Sequence, residues 1–257
     1  MASKDSIAKT LTVATLLCVV CSVIVSTAAV LLKPAQIANK ELDFKRNILS
    51  AAGLLKPSES VEEQFKNVEI KMVDLDTGKF TTDIEPSNYD QRKASKDPKM
   101  SEQLSNEEDL AKIGRVEEYA KVYIATTEAG KKVVVLPVRG YGLWSTLYGF
   151  LAVEGDMNTV VGFGFYEHGE TPGLGGEVDN PRWKNLWPGK KLFNEDGSVA
   201  IEIVKGSVDS AAKGAEHKVD GLSGATLTSK GVHNLLQFWL GEEGYGAFLA
   251  NMKKGKA

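Results

Sequence analysis

Cysteine is almost missing from this 257-residue chain, which has only Cys18 and Cys21. In a cytosolic protein their C-x-x-C spacing would suit a redox pair or half a zinc site. Zinc needs four ligands, however, and neither a second such pair nor a closely spaced pair among the three histidines exists. Both cysteines read as small apolar residues, and thiols say nothing about the redox compartment of the rest. An excess of one charge is lacking too, with 31 Lys and Arg against 34 Asp and Glu, a net charge of -3. A basic nucleic-acid surface is thereby excluded. With 42% hydrophobic and 25% charged residues, global disorder and a polytopic membrane bundle are excluded as well. No Gly-x-Gly-x-x-Gly follows a strand and opens a helix, which leaves a nicotinamide site in this chain unsupported. No internal repeat is found.

Charge is absent altogether between Lys9 and Lys33, a run of 23 residues. As a helix this run would be about 34 Å long, enough to cross a hydrocarbon core of ~30 Å. Thr10–Leu32 reads as a single transmembrane anchor behind a short tail, residues 1–9. The rival reading is a cleaved signal peptide, since Lys4 and Lys9 make a basic start and Ser26-Thr27-Ala28 could be cut. The apolar run continues through Val30, Leu31 and Leu32, longer than a signal core of about 7–15 residues. Orientation stays open: Lys4 and Lys9 face Lys33, Lys40, Lys45 and Arg46, a count that mildly favours a cytoplasmic domain, yet long domains translocate largely regardless of charge.

Residues 33–257 read as an α+β domain. Ile37, Leu42, Phe44, Ile48, Leu49 and Ala52 recur at near-helical spacing up to Gly53 and Lys56-Pro57, as in a juxtamembrane helix. Residues 83–108, polar and poor in apolar side chains, read as a long surface loop or an inserted excursion, scaffolding more than site. Val122–Ala125 and Val133–Leu136 flank a Glu128-Ala129-Gly130 turn, a hairpin; Leu147–Val153 and Val160–Tyr166 form a second around Glu154-Gly155-Asp156. Val199–Val204 reads as a further strand. Val232, Leu235, Leu236, Trp239 and Leu240 make one helical stripe, and Tyr245, Phe248 and Leu249 another. Antiparallel strands with helices at both ends fit an α+β fold and not alternating βαβ units.

Three stretches carry chemistry. Asp220-Gly221-Leu222-Ser223-Gly224-Ala225-Thr226-Leu227-Thr228-Ser229 precedes the Val232–Leu240 stripe. Its hydroxyls suit helix capping, and the same free amides and dipole end suit an anion such as phosphate. His168-Gly169-Glu170-Thr171-Pro172-Gly173-Leu174-Gly175-Gly176 follows a strand; its glycines permit tight turning and close approach to a flat ligand, while Glu170 and Thr171 offer directional hydrogen bonds. Gly140-Tyr141-Gly142-Leu143-Trp144-Ser145 adds aromatics that suit either a ring or the core.

Together these stretches resemble the FMN-binding domain of respiratory electron-transport subunits, and the whole chain is similar to the C subunits of sodium-translocating NADH:quinone oxidoreductases. The resemblance is most specific in Ser223-Gly224-Ala225-Thr226, where the family joins FMN through its phosphate to a threonine, here Thr226. It implies that Ser223, Gly224, Ala225, Leu227, Thr228, His168, Glu170, Thr171, Leu174, Gly175, Leu143 and Trp144 surround the flavin, within an FMN-binding part at about 120–240. It further implies a membrane-anchored, single-pass relay of single electrons from NADH oxidation toward ubiquinone, coupled by the complex to sodium export. The domain would lie on the periplasmic face of a bacterial inner membrane, with membrane and flavoprotein subunits as partners and a flavin transferase needed for maturation. The corresponding subunit of a ferredoxin-linked complex, of the Rnf type, is the nearest alternative, and a cofactor-free anchored binding module is the alternative of a different class.

Overall fold

The computed structural model describes residues 6–127 and 129–257, so Lys4, Asp5 and Glu128 lie outside the described residues. The chain divides into two units, Met1–Asp43 and Phe44–Ala257. Helix α1, Ile7–Ala51, runs through both and contains Pro34, so the anchor and the juxtamembrane helix are one element rather than two. Its apolar side chains from Leu11 to Leu32 are 52–73% exposed, as an anchor requires.

Two short elements, helix α2 (Val61–Phe65) and a hairpin of β1 (Val68–Asp74) with β2 (Lys79–Thr81), open the second unit. Helix α3 (Gln91–Ala94) and the ribbon of β3 (Ser101–Gln103) with β4 (Arg115–Glu117) follow. Residues 83–108 are therefore not a plain loop: their polar side chains cap single turns, as Asp90 caps α3, while Tyr89, Ala94 and Leu104 are buried. The main strands are β5 (Tyr119–Thr126), β6 (Lys132–Tyr141), β7 (Thr146–Glu154) and β8 (Val160–Glu167). They join the first hairpin in an antiparallel sheet of order β2-β1-β5-β6-β7-β8, containing both hairpins expected from the sequence.

Helix α4 (Pro181–Lys184) follows β8, and β9 (Glu202–Val204) pairs in parallel with β10 (Lys218–Asp220). The strand expected over Val199–Val204 is thus shorter; Val199 makes only an isolated bridge to Phe193. Helices α5 (Thr226–Leu240) and α6 (Gly246–Lys253) complete the chain. Val134, Leu136 and Leu151 of the sheet share a core with Val232, Leu235 and Leu236 of α5. On the other sheet face the Phe44 ring meets Phe150 at 5.1 Å and Tyr166 at 5.2 Å, and Ile48 and Leu49 are buried beside it.

β5 and β6 pair only between Tyr123↔Val135 and Thr126↔Lys132, and part beyond Val135. Pro137 has no N–H to continue the ladder. Carbonyls past the split are met instead from the last helices, Pro137 accepting from the Tyr245 hydroxyl at 2.8 Å and Arg139 from Trp239 Nε1 at 2.7 Å.

Candidate functional site

Helix α5 begins at Thr226 behind Gly224, whose φ is +72°, and Ala225, which makes no side-chain cap. Its first-turn amides are therefore not spent on a capping hydroxyl, and the Thr226 side chain stands exposed beside them. Ser229 instead accepts from the Leu222 N–H at 2.9 Å, which ties the preceding loop to the helix it leads into. Hydroxyls two residues apart are used differently: Thr226 is exposed, whereas Thr228 is fully buried.

Thr228 donates its hydroxyl to Glu170 Oε2 at 2.7 Å. The other oxygen, Glu170 Oε1, accepts from the backbone N–H groups of Leu143, Trp144 and Ser145 at 3.1, 2.9 and 3.2 Å. One carboxylate, 5% exposed, thus joins all three stretches singled out in the sequence. Burial alone would raise its pKa; the Trp144 N–H, the Thr228 hydroxyl and the N–H groups of Leu143 and Ser145 outweigh it and hold the carboxyl below the ordinary range. Close approach makes this possible. A Cβ on Gly175 would sit 2.5 Å from Thr228 Oγ1 and 2.7 Å from Glu170 Oε2, and one on Gly231 would run into the Tyr141 carbonyl.

His168 supports the same loop. Its Nδ1 accepts from the Glu170 N–H at 3.2 Å, and the tautomer that this bond assigns donates from Nε2 to Asp179 at 2.7 Å. Ser145 Oγ accepts from the Gly169 N–H at 2.6 Å. Thr171 is exposed, and its carbonyl receives the N–H groups of Leu174 and Gly176. Asp179 and the Ser145 hydroxyl escape sequence reasoning. Ser145 lies inside a recognised stretch without an assigned role, and nothing in the sequence pairs Asp179 with His168.

Around this polar brace the fold leaves apolar side chains in the open. Leu143, Trp144, Leu174 and Leu227 are 36–67% exposed, as is Tyr141; of the eight large exposed hydrophobics among the described residues of the second unit, five belong to these stretches, so the exposure is concentrated rather than scattered. Tyr141 and Trp144, for which the sequence leaves core packing open, are outside the core. Leu174 reaches the loop before α5, its Cδ2 lying 3.2 Å from where a Cβ of Gly224 would be. An exposed hydroxyl at a helix N-terminus beside an apolar shelf fits a ligand with a phosphate at one end and a flat ring at the other.

Comparison with known proteins agrees with that geometry. Residues 142–241 match the model of the FMN-binding domain family. Over its full length the chain is 55% identical to the C subunit of the Na(+)-translocating NADH-quinone reductase of Pseudomonas aeruginosa, covering 100% of both proteins. It is 51% identical to the protein of the same name from Vibrio alginolyticus, covering 99% of this chain and 98% of that one. The crystal structure of NqrC from Shewanella oneidensis superimposes with a TM-score of 0.77 at 39% identity, over 84% of this chain and 99% of that one. With identity this high across the whole length, the chain belongs to the family of C subunits of the Na(+)-translocating NADH-quinone reductase, an oxidoreductase complex of several subunits.

Proposed function

We propose that this chain carries FMN esterified through its phosphate to the Thr226 hydroxyl, and serves as a single-electron relay between NADH oxidation and quinone reduction. The observation that carries the reading is the exposed Thr226 hydroxyl on the uncapped first turn of α5, beside the apolar shelf. Bound FMN supplies the redox chemistry. The residues of this chain supply position. Free amides and the positive dipole end of α5 favour the phosphate. Ser223, Gly224 and Ala225 leave the approach to Thr226 open to a flavin transferase, and Leu143, Trp144, Leu174 and Leu227 offer apolar surface to the ring. Glu170 and Thr228 hold those segments in register, with His168, Thr171 and Gly175 shaping the loop between them. The domain works on the periplasmic side of a bacterial inner membrane, held there by α1 among the other membrane and flavoprotein subunits.

Intact mass and peptide mapping of chain produced with a flavin transferase test the attachment. Thr226→Ala is expected to lose both the FMN adduct and the fluorescent band on a denaturing gel, while Thr228→Ala keeps them. Fluorescence surviving in Thr226→Ala would move the attachment elsewhere.

A further inference from the structure

Where β6 leaves β5 the sheet opens on a cavity of about 310 Å³. None of its lining residues belongs to the three stretches of the flavin site. Three cationic side chains reach it, and two are matched. Arg139 pairs with Glu117, a buried carboxylate that also accepts from Gln91 Nε2 at 2.6 Å. Arg92 is shared between Glu167 at 3.0 Å and the face of Tyr148, 3.6 Å from its centroid. Asp90 is engaged by Lys93, through its N–H and its ammonium, each at 3.2 Å.

Lys121 is the third. Among the described residues no carboxylate lies within ion-pair distance of its half-buried ammonium. Burial lowers its pKa below the ordinary range, which Asp90 offsets only in part. Two positions along the same strand face Tyr123 is 4% exposed, and among the described residues its hydroxyl makes no hydrogen bond. Both donors line the cavity and meet no protein acceptor among the described residues, so an unmatched cation and an unmatched hydroxyl facing one space mark a place for an acceptor. Phe44, Pro137, Tyr166 and Trp239 give the same cavity apolar and aromatic wall.

We propose that this cavity binds a small monocarboxylate with a flat apolar body, its carboxylate taken by Lys121 and the Tyr123 hydroxyl and its body by the aromatic wall. One unmatched cation sets a single negative charge. The volume, at the low end for ligand pockets, sets a single ring. The site is separate from the flavin and does not depend on its attachment.

Sodium benzoate is the probe, titrated calorimetrically into the full-length chain in detergent at constant ionic strength. Saturable one-to-one binding is expected, weakened roughly tenfold by Lys121→Met and several-fold by Tyr123→Phe, because a charge-assisted and a neutral hydrogen bond are lost respectively. Benzyl alcohol, with the same ring and no charge, should bind as weakly as benzoate binds Lys121→Met. Should Lys121→Met fail to fold by near-ultraviolet circular dichroism, Lys121→Arg replaces it and is expected to keep the affinity that Tyr123→Phe reduces. Saturation absent below roughly 10 mM, parent affinity retained by Lys121→Met or by Tyr123→Phe, or equal binding of benzyl alcohol would overturn the proposal.

Discussion

From Leu11 to Leu32 apolar side chains are exposed all round one helix, whereas in the domain Leu143, Trp144, Leu174 and Leu227 are comparably exposed on segments tied together by a buried carboxylate. The helix satisfies its own backbone, so its exposure needs only a surrounding hydrocarbon, and any sufficiently apolar sequence of that length serves. The shelf in the domain has no such support. Glu170 and Thr228 instead tie together the segments that carry these side chains. Exposed apolar surface therefore fits a hydrocarbon solvent in one region and, on the function proposed above, a ligand in the other, and what distinguishes them is the polar structure beneath.

Breaking each region at its own support tests that distinction. Val20→Lys puts a charge in the middle of the uncharged run and is expected to shift membrane integration by about 3 kcal/mol, read as loss of resistance to alkaline extraction. Glu170→Ala leaves three backbone N–H groups and the Thr228 hydroxyl without their acceptor, and should lower domain stability in urea by roughly 3 kcal/mol without changing extraction. The carboxyl also titrates in a defined direction. Because its pKa in the folded chain lies below the ordinary 4.5, its stabilisation is complete above that value and is lost as pH falls through the folded one. Glu170→Gln, whose amide oxygen still accepts, is expected to be intermediate in stability and to flatten that acid limb.

Thr228→Val removes a single bond at nearly constant volume and should cost about 1–2 kcal/mol, with Thr228→Ser close to the parent. Trp144→Ala is the smallest effect. At 67% exposed, its loss should change stability by no more than about 0.5 kcal/mol while altering the emission of bound FMN. A large stability loss there would make the shelf part of the core and end the comparison.

Local pattern makes much of this fold legible. Both central hairpins, the anchor and the two terminal helices follow from alternation, turn glycines and apolar stripes acting within a few residues. The hairpin of β1 and β2 escapes that reading although Val68, Ile70 and Met72 alternate with Glu69 and Lys71, because Ile70 stays exposed and Val73 breaks the period. Residues 83–108 read as loop because their order comes from partners far away, such as Gln91 with Glu117 and Arg92 with Glu167. The candidate site divides the same way. Its three segments can be recognised one by one from glycines and hydroxyls, but the Glu170 bonds that gather them join residues up to 58 positions apart, and no spacing rule reaches that far.

The clearances at Gly175 and Gly231 bear on portability. Neither glycine belongs to the Ser223–Thr226 motif, yet one makes room for the Thr228 and Glu170 side chains and the other for the Tyr141 carbonyl. Grafting residues 220–229 onto a foreign helix would move the exposed Thr226 hydroxyl and leave its surroundings behind. The smallest transplantable unit is the helix start through Gly231 with both glycine loops, and a designer who keeps the motif but fills either gap inherits a hydroxyl with no shelf beside it.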